Sequence, residues 1–411
     1  MTSSACRACG TALKHVFADL GNSPLSNAFL SADQLNRMEP YYPLRAYVCA
    51  RCYLVQLDEF ETPEKIFHEY AYFSSYSESW LAHARRFAES AITRFGLGRG
   101  SRVVEVASND GYLLQYFKQA GIEVTGIEPA ANVAAVAQER GIATVVEFLG
   151  DKTARRIAAG GVLADLLVGN NVFAHVPDVN DFVAGLAVLL KPGGTLTLEF
   201  PHLLRLMAES QFDTIYHEHF SYFSLMVAGS VLRRHGLEVV DVEELPTHGG
   251  SLRIHVVHAA AAGSRRTSRP EELVARERAA GLDRVETYLA FDEQAKAAKR
   301  ALLRFLIDAK DQGKSVVGYG APAKGNTLLN YCGVRTDLIA YTVDRSPHKQ
   351  GRYLPGTHIP IFAPERIAET KPDYVVILPW NIRDEVVAQM SCVRDWGGKF
   401  VVPIPRAEIL P

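Results

Sequence analysis

The sequence predicts an α/β protein with a small metal-binding domain at its N-terminus, followed by two larger α/β domains. Three observations predict this architecture. Four of the six cysteines lie within the first 52 residues as two close pairs. From about residue 86 to 245, apolar strand-like runs alternate with amphipathic segments, which is typical of a parallel sheet covered by helices. The same alternation returns in about the last hundred residues.

The paired cysteines predict a structural zinc site. Cys6-x-x-Cys9 is followed, after a gap of 39 residues, by Cys49-x-x-Cys52. In a reducing cytoplasm such pairs favour a metal over disulfides. Two Cys-x-x-Cys turns supply four thiolates for one tetrahedral Zn²⁺ ion and leave no open position for a substrate. The ion is therefore expected to stabilise the small domain; redox-active or incidental cysteines are the alternative.

The central segment predicts a Rossmann-like sheet. We expect the N-terminal domain to span residues 1–85, the central domain 86–245 and the C-terminal domain 246–411. Strand-like runs and amphipathic segments alternate along the central domain. The expected strands are residues 103–106, 124–128, 163–168 and 195–200, and the expected helices are residues 112–120 and a segment ending at residue 190.

A charged, Ala-rich stretch separates the central domain from the last one. Residues 270–310 have few turn-forming residues and predict one or two long helices that bridge the domains. Acidic and basic residues alternate there, which indicates a solvated helix face. The C-terminal domain then predicts a second, smaller Rossmann-like fold. Its expected strands are residues 315–320, 338–343, 374–378 and 400–402, with a helix at residues 327–331.

A turn between a buried strand and a helix predicts a cofactor site. The segment from Glu105 to Gly111 contains small residues that let its backbone approach a ligand at the carboxyl end of the sheet. The next strand ends in Glu128, 17 residues after Gly111, and its carboxylate can accept hydrogen bonds from ribose hydroxyls. These features fit either NAD or S-adenosylmethionine.

The composition of this turn favours S-adenosylmethionine. A pyrophosphate cradle has the pattern Gly-x-Gly-x-x-Gly, whereas this turn has one glycine and would bring Asp110 close to a phosphate. S-adenosylmethionine is cationic at sulfur and has no phosphate, so it tolerates a nearby acid. A turn that binds nothing is the alternative. The residues expected to bind the cofactor are Glu105, Ala107, Asn109, Gly111, Glu128, Pro129, Asn170 and Asn171.

A histidine-rich segment is the candidate catalytic centre. Six of the seven residues from Tyr216 to Tyr222 are ionisable or hydroxylic, which is unusual for a core segment. A histidine with an ordinary pKa accepts a proton at neutral pH, so general acid–base chemistry is the preferred interpretation. A metal site on His217 and His219, or a solvated surface patch, are the alternatives.

Two further segments supply candidates near the same site. His175 follows the expected strand at 163–168 and therefore lies at the same sheet edge as the cofactor turn. Taken alone, it is as often a structural hydrogen-bonding group as a catalyst. Tyr70 belongs to an aromatic cluster at residues 70–77, most of which are expected in the core, although one phenol could donate to an oxyanion.

Composition excludes several other classes. Lys plus Arg is 44 and Asp plus Glu is 46, so the net charge is −2 and no broad basic surface is available for nucleic acid. The longest apolar run, 182–190, is about half of what a membrane helix needs. The N-terminus lacks the features of a secretory signal. We therefore expect a soluble cytoplasmic protein without nucleic-acid or membrane partners, and we expect it to be a monomer.

The ordered set of motifs resembles the sugar C-methyltransferases of deoxysugar pathways, which act on nucleotide-linked 4-keto-deoxyhexoses for antibiotics. Any one motif is weak, but their order and spacing span nearly the whole chain. The motifs are Cys6-x-x-Cys9 with Cys49-x-x-Cys52, Tyr70-x-Tyr72-Phe73-Ser74-Ser75, Glu105-Val106-Ala107-Ser108-Asn109-Asp110-Gly111, Asn170-Asn171-Val172-Phe173-Ala174-His175, Tyr216-His217-Glu218-His219-Phe220-Ser221 and Gly318-Tyr319-Gly320-Ala321-x-x-Lys324-Gly325-Asn326.

The resemblance implies a zinc-binding domain, a central S-adenosylmethionine domain and a C-terminal Rossmann-like domain, with the sugar nucleotide between domains. It implies methylation of a ring carbon beside a ketone, usually C3, with C5 as the alternative, on a dTDP-4-keto-deoxyhexose with or without a 3-amino group. By motif match His219 is the base, and Tyr216, Glu218, Tyr70 and His175 surround the sugar.

We expect Glu218 to orient and polarise the His219 ring, while a phenol or His175 donates to the enolate oxygen. Lys324 and Arg345 offer cations for a diphosphate, with ordinary surface charge as the equally favoured alternative, and Tyr222 and Asn326 are further expected substrate contacts. Two competing functions remain open: an NAD-linked oxidoreductase that uses Gly318-Tyr319-Gly320, and a non-catalytic zinc-containing binding protein.

Overall fold

The N-terminal segment forms an antiparallel sheet that a much later segment completes. Its strands are β1 (His15–Ser23), β2 (Tyr42–Val48), β3 (Val55–Leu57) and β9 (Ser221–Tyr222). In the computed structural model, which describes residues 5–62, 74–76 and 78–410, the strand order is β1-β2-β3-β9. The Leu57 amide donates to the Phe220 carbonyl at 3.0 Å. The N-terminal sheet is therefore joined to the histidine-rich segment.

The central sheet is mixed. Its strands in the described residues are β4 (Arg102–Val106), β5 (Glu123–Ile127), β6 (Ala143–Val145), β7 (Ala164–Asn170), β8 (Leu190–Pro201), β10 (Leu237–Leu245) and β11 (Ser251–His258). Their order is β10-β11-β8-β7-β4-β5-β6, with parallel pairing from β8 to β6 and antiparallel pairing of β10 and β11 at the other edge. Because β11 pairs with both β8 and β10, this sheet extends past residue 245.

Helices cover both faces of the central sheet because apolar side chains alternate along its strands. Val104 and Leu167 pack with helices on one face, and Val103 and Leu166 pack with helices on the other. This arrangement confirms the Rossmann-like prediction for the central segment. The helices are α1 (Glu78–Phe95), α2 (Leu114–Gln119), α3 (Ala131–Glu139), α4 (Asp151–Ala159), α5 (Val179–Leu189), α6 (Leu203–Ala208) and α7 (Leu225–Arg234).

The bridging stretch is broken into three helices rather than one or two. They are α8 (Arg269–Ala279), α9 (Val285–Leu289) and α10 (Phe291–Asp311). The break follows from Gly281, whose φ of +85° ends α8, and a Cβ at this position would lie 2.4 Å from Oγ1 of Thr287. One face of α10 is buried in a core shared by the N-terminal and C-terminal sheets. Phe291 stacks on Phe17 there, with ring centroids 4.5 Å apart.

Glu277 overturns the expectation that the acids of this stretch are solvated. Its side chain is fully buried, and its carboxylate accepts hydrogen bonds from the amides of Leu225 at 2.6 Å and Met226 at 2.8 Å. The Nε2 atom of His202 lies 2.8 Å from the same carboxylate. The two amides belong to the first turn of α7 and have no acceptor within that helix. Glu277 therefore caps α7 from a neighbouring helix.

The C-terminal sheet confirms the second Rossmann-like domain. Its strands are β12 (Val316–Tyr319), β13 (Thr342–Val343), β14 (Ile361–Phe362), β15 (Tyr374–Ile377), β16 (Lys399–Val402) and β17 (Glu408–Ile409), and its helices are α11 (Ala323–Cys332), α12 (Arg366–Thr370) and α13 (Arg383–Gln389). The strand order is β14-β13-β12-β15-β16-β17, and all pairs are parallel except β16 with β17. The helix expected at 327–331 begins earlier, at Ala323.

The described part of the chain contains no helix that combines the length and apolar character needed to span a bilayer.

Replacing Glu277 by Ala is expected to destabilise the protein by about 3–5 kcal/mol, because two buried amides and His202 lose their acceptor. Glu277→Gln keeps one acceptor oxygen and should cost less. Urea unfolding followed by circular dichroism measures both variants. A Glu277→Ala variant with the wild-type midpoint would contradict the capping role.

Candidate active site and metal centre

The four N-terminal cysteines form one cluster. Their sulfur atoms all lie within 4.8 Å of one another, with Cys6 Sγ 3.5 Å from Cys52 Sγ and Cys9 Sγ 3.5 Å from Cys49 Sγ. A tetrahedral zinc ion with Zn–S bonds of about 2.3 Å places its sulfur ligands about 3.8 Å apart. The cluster therefore fits one zinc ion with four thiolate ligands, as predicted.

Outer contacts fix this cluster and connect it to the central domain. Gln56 Nε2 donates to the Cys6 sulfur at 3.2 Å, and Gln56 Oε1 accepts from the Arg7 amide at 2.9 Å. The Arg7 guanidinium donates to the Pro177 carbonyl at 2.7 Å and lies 5.4 Å from the centre of the Phe220 ring. Pro177 and Phe220 flank the two candidate catalytic segments. A residue inside the first cysteine pair therefore supports both segments.

The cofactor turn has an unusual backbone. Ala107, Asn109 and Gly111 have φ values of +55°, +49° and +77°. A Cβ at Gly111 would lie 2.3 Å from Cδ1 of Ile142, so both the positive φ and the close approach require glycine. Backbone strain of this kind persists where surrounding contacts enforce it, and it concentrates at ligand sites.

Glu128 supports this turn. Its carboxylate accepts one hydrogen bond from the amide of Asn109, within the turn, at 3.0 Å and another from the amide of Ala130, directly after Pro129, at 2.9 Å. Burial raises the pKa of Glu128 against these two bonds. Both carboxylate oxygens of Glu128 therefore already accept hydrogen bonds from backbone amides, and the expected contact of Glu128 with ribose stays a prediction. Glu105 is fully buried within β4, and burial raises its pKa well above the ordinary value.

Unpartnered polar atoms mark the same edge of the sheet. Among the described residues, the buried atoms without a hydrogen-bond partner at this edge include these four: Ser108 Oγ, Asp110 Oδ1, Asn170 Oδ1 and Asn171 Oδ1. Buried polar atoms are rarely left unpaired unless a ligand or water completes them. Three of the four are acceptor oxygens, which fit the ammonium and hydroxyl donors of S-adenosylmethionine and would repel a phosphate. The residues present fit this cofactor.

The segment that precedes α1 closes over the turn. The Ser74 amide donates to Asn109 Oδ1 at 2.9 Å, and the Ser75 hydroxyl donates to Asp110 Oδ2. Ser74 and Ser75 end the tyrosine-rich motif, so that motif reaches the cofactor turn. Tyr70, the expected catalytic phenol of this motif, lies outside the described residues.

His219 is held in a defined tautomer. Its Nδ1 atom lies 2.9 Å from the Thr214 carbonyl oxygen, which can only accept, so Nδ1 carries the proton and Nε2 presents a lone pair. The ring packs on Tyr216 with centroids 4.0 Å apart and meets the His175 ring edge-on at 4.7 Å. The structure therefore brings together three of the predicted catalytic residues.

The surroundings keep His219 neutral. Burial lowers its pKa well below the ordinary value, and nearby His175, His248 and Lys324 lower it further, against the hydrogen bond to Thr214. Burial also lowers the pKa of His175 to about 4, although its ring bonds the backbone of Glu218. Both imidazoles are therefore uncharged at neutral pH, and His219 is available as a proton acceptor.

Glu218 lies differently from the expectation. Its side chain is 5% exposed and accepts from Asn27 Nδ2 at 2.6 Å, while the polarising partner of His219 is the Thr214 carbonyl. Burial raises the pKa of Glu218 to about 7, against the bond from Asn27. The expected contact between Glu218 and the His219 ring is absent from the described hydrogen bonds, because the two side chains point to different segments.

His217 is also structural in its contacts. Its Nε2 atom lies 3.2 Å from the Pro43 carbonyl, and its ring meets Tyr42 edge-on at 5.8 Å. His217 and His219 thus bind different carbonyls and share no metal position. Within the described ranges, the cysteine set is the one group of side chains close enough to hold a metal ion. Because His217 and Glu218 are buried, a solvated surface patch is also wrong.

The C-terminal domain contributes a partly buried lysine to this region. Lys324 Nζ donates to Asn381 Oδ1 at 2.7 Å and lies 4.3 Å from the centre of the Trp380 ring. Trp380 Nε1 donates to Oδ2 of the fully buried Asp213 at 2.6 Å. Asp213 directly precedes Thr214, whose carbonyl holds His219. The surface-charge alternative for Lys324 is therefore wrong.

The other expected substrate contacts are dispersed. Asn326 Nδ2 donates to the Ser26 carbonyl at 2.6 Å, and its buried Oδ1 has no partner among the described residues. Tyr222 is buried in β9, and burial raises its pKa well above the ordinary value. Arg345 is exposed, with its guanidinium 3.8 Å from Glu385. Of this group, Arg345 alone is a surface cation.

Sequence reasoning missed His248. It lies in the turn between β10 and β11 with φ +55°, and its buried Nε2 has no partner in the described chain. Its ring meets Trp80 edge-on at 5.4 Å, and burial lowers its pKa to about 4. The signal available was the sequence Thr247-His248-Gly249-Gly250, in which glycines follow a histidine between two strand-like runs.

Family comparison finds three successive domain profiles along the chain. A zinc binding domain matches residues 6–67, a methyltransferase domain matches residues 80–242 and a C-methyltransferase C-terminal domain matches residues 246–405.

Individual proteins match to different extents. The C-methyltransferase NovU of Streptomyces niveus is 38% identical over 410 residues, covering 98% of this chain and 96% of NovU. The ubiquinone biosynthesis O-methyltransferase of Bordetella avium is 32% identical over 98 residues, or 23% of this chain and 41% of that protein. The solved magnesium protoporphyrin IX methyltransferase of Synechocystis PCC 6803 with bound SAH has 15% identity and a TM-score of 0.35, covering 47% of this chain and 91% of that one. A TM-score this low supports no conclusion about function.

The cysteine cluster predicts one tightly bound zinc ion per chain, measured by native mass spectrometry or inductively coupled plasma analysis. Cys52→Ser should lower the zinc content and destabilise the N-terminal domain, because a tetrahedral site loses one thiolate. Cys392→Ser, which removes a cysteine outside the cluster, is the matched control. Full zinc content in Cys52→Ser would contradict the four-cysteine site.

Proposed function

The chain belongs to the C-methyltransferase family and depends on S-adenosylmethionine, and from this premise we propose that its substrate is a nucleotide-linked 4-keto-deoxyhexose. The methyl group is transferred to a ring carbon beside the ketone, at C3, with C5 as the alternative position, and the dTDP-sugar is with or without a 3-amino group. The observation that carries this proposal is His219, a neutral imidazole with a free-base Nε2. Family membership decides against the NAD-linked and the non-catalytic alternatives.

Proton removal is the first task of the site. A carbon beside a ketone becomes acidic only when the enolate oxygen is stabilised as charge develops. In the proposed mechanism Nε2 of His219 takes the proton, and the Thr214 carbonyl stabilises the resulting imidazolium through a stronger, charge-assisted bond from Nδ1. Tyr216 and His175 hold the ring plane through their contacts at 4.0 and 4.7 Å.

Donors around His219 would stabilise the enolate. We assign this task to the phenols of Tyr70 or Tyr216, because the ring of His175, the other expected donor, is already engaged with the backbone of Glu218. Glu218 is proposed to act at the sugar rather than on His219, because its carboxyl is engaged with Asn27. With a pKa of about 7, this carboxyl is available both as donor and as acceptor near neutral pH.

The cofactor turn would hold S-adenosylmethionine through the Glu105–Gly111 segment, Glu128 and Pro129, Asn170 and Asn171. Bound S-adenosylmethionine supplies an electrophilic methyl group. The turn, through its rigid backbone, aligns this group with the carbon that faces His219, and alignment is the main contribution of the protein to such a step. The unpartnered oxygens of Asp110, Asn170 and Asn171 support this placement.

The sugar nucleotide would lie between the domains proposed at residues 1–85, 86–245 and 246–411. Tyr222, Asn326 and Arg345 are proposed contacts. Asn326 would offer its unpartnered Oδ1 as an acceptor, and Arg345 would offer a cation to the diphosphate. Lys324, also expected at the diphosphate, is partly buried and donates to Asn381 Oδ1.

Gly111→Ala is expected to weaken binding of S-adenosylmethionine by about tenfold or more, roughly 1.4 kcal/mol, because the added Cβ collides with Ile142 and strains the turn. Gly121→Ala is the matched control, since Gly121 also has positive φ but has open space around its Cβ position. Isothermal titration calorimetry with S-adenosylmethionine measures both, with NAD as the negative ligand. If Gly111→Ala binds S-adenosylmethionine with unchanged affinity, the proposal that the cofactor binds at this turn is contradicted.

His219→Asn is expected to lower turnover about a hundred- to ten-thousandfold while cofactor affinity is retained, because asparagine keeps a donor for Thr214 but is no base. The assay uses methyl-¹³C-labelled S-adenosylmethionine and dTDP-4-keto-6-deoxyglucose, and NMR locates the label on a ring carbon. His235→Asn, on a partly exposed histidine beyond α7, is the control. Wild-type turnover in His219→Asn, or label on oxygen, would sink the proposal.

A further inference from the structure

Lys324 lies where the C-terminal domain meets the support of His219. It stands in the first turn of α11, and this helix packs against the turn Phe212–Thr214. That turn ends at the carbonyl that binds His219 Nδ1. The lysine is thus brought to the catalytic segment by domain packing, and no local sequence signal connects the two.

The ammonium group of Lys324 is only partly satisfied by protein. One N–H donates to Asn381 Oδ1 at 2.7 Å, and the Trp380 ring supports the group at 4.3 Å. Among the described residues, the other two N–H donors have no acceptor within hydrogen-bond distance. The two remaining N–H groups of this partly buried ammonium are therefore free to donate to an oxygen atom of a ligand.

Asp213 provides the opposite charge without direct contact. Its Oδ2 accepts from Trp380 Nε1, while its buried Oδ1 has no partner in the described chain. In the described part of the chain, the Lys324 nitrogen and the Asp213 carboxylate do not form an ion pair within 4.0 Å. If Asp213 and Lys324 formed a purely structural ion pair, their charged groups would be in direct contact, because their electrostatic attraction is strongest there. The separation leaves the lysine donors accessible to substrate.

The electrostatics agree with this placement. The charge of Lys324 lowers the pKa of both His219 and His248. Burial lowers the pKa of Lys324 to about 8, and Asp213 opposes this change. Burial raises the pKa of Asp213 to about 6 against the influence of Lys324. Between about pH 6 and pH 8, Lys324 is therefore charged, Asp213 is ionised and His219 is neutral.

We propose, on the basis of the function proposed above, that Lys324 is a catalytic residue whose ammonium donates a hydrogen bond to the enolate oxygen, and that Asp213 is its positioning residue. When Nε2 of His219 removes the proton, the C–H electron pair forms the enolate double bond and the carbonyl pair moves to oxygen beside Lys324. When the new C–C bond forms, the pair on oxygen would return to restore the ketone while the carbon–carbon pair of the enolate binds the methyl group. The bond between sulfur and that methyl group would break, with its electrons staying on sulfur in S-adenosylhomocysteine, which leaves. Lys324 keeps its proton throughout.

Exchange of the substrate proton isolates this step. Wild-type protein with S-adenosylhomocysteine and saturating dTDP-4-keto-6-deoxyglucose in D₂O should replace the proton beside the ketone by deuterium, followed by ¹H NMR. Lys324→Met should slow this exchange about a hundredfold or more, because a developing oxyanion loses its cation. Lys299→Met is the matched control: Lys299 also lies over an aromatic ring, 4.5 Å from the centre of Tyr331, with one carbonyl acceptor.

The pH dependence distinguishes catalysis from folding. With the enzyme-free rate subtracted, wild-type exchange should fall as the pH rises through about 8, where Lys324 loses its proton. Lys324→Arg should extend activity to higher pH, because arginine stays charged. Asp213→Asn, which can still accept from Trp380, should move the fall to lower pH. These two variants test the proposal even where Lys324→Met does not fold.

Several results would overturn the assignment. Wild-type exchange in Lys324→Met at saturating substrate, with a raised KM alone, would place Lys324 at the diphosphate. The assignment is also rejected if neither Lys324→Arg nor Asp213→Asn shifts the pH at which the exchange rate falls. Failure of the wild-type protein to exchange any ring proton would instead refute the proposed keto-sugar chemistry itself, so the two failures are distinguishable.

Discussion

The hydrogen bond between the Trp380 indole and the Asp213 carboxylate is the contact on which the geometry of the site depends. It joins the C-terminal domain to the turn that supports His219, at 2.6 Å and away from solvent. The same indole carries the Lys324 ammonium on its face, and its far edge fits against Gly249, where a Cβ would lie only 2.6 Å away. The Trp380 side chain thus sets the distances between the base His219, the Lys324 ammonium and the turn that contains His248.

Features that arise from local pattern were predictable from the sequence. Cys6, Cys9, Cys49 and Cys52 converge as expected because the Cys-x-x-Cys turn geometry is local and a shared metal fixes their separation. Four strands of each Rossmann-like sheet were predicted from apolar runs, with ends that differ by a few residues, whereas β6, β10, β11, β14 and β17 were not predicted. The meeting of His175 and His219 was also foreseeable in outline, since His175 follows a strand at the carboxyl edge.

Features that depend on distant partners were not predictable. Glu277 looks like one acid among many on a charged helix, and only the packing of α8 against α7 reveals it as a buried cap. Glu218 adjoins His219 in sequence, yet neighbouring residues in an irregular segment point in different directions, and Asn27 takes its carboxyl. Lys324 was assigned by charge alone, and its burial comes from a contact between domains that no single motif encodes.

The shared antiparallel sheet limits how this protein can be recombined with its relatives. β9 directly follows the base, and it is hydrogen-bonded to β3, which belongs to the domain of the cysteines. An N-terminal module transplanted from another chain would bring a foreign edge to that strand and would shift the imidazole along with it. Functional hybrids would therefore have to inherit residues 55–57 and 221–222 as a matched pair, although about 160 residues of chain separate them.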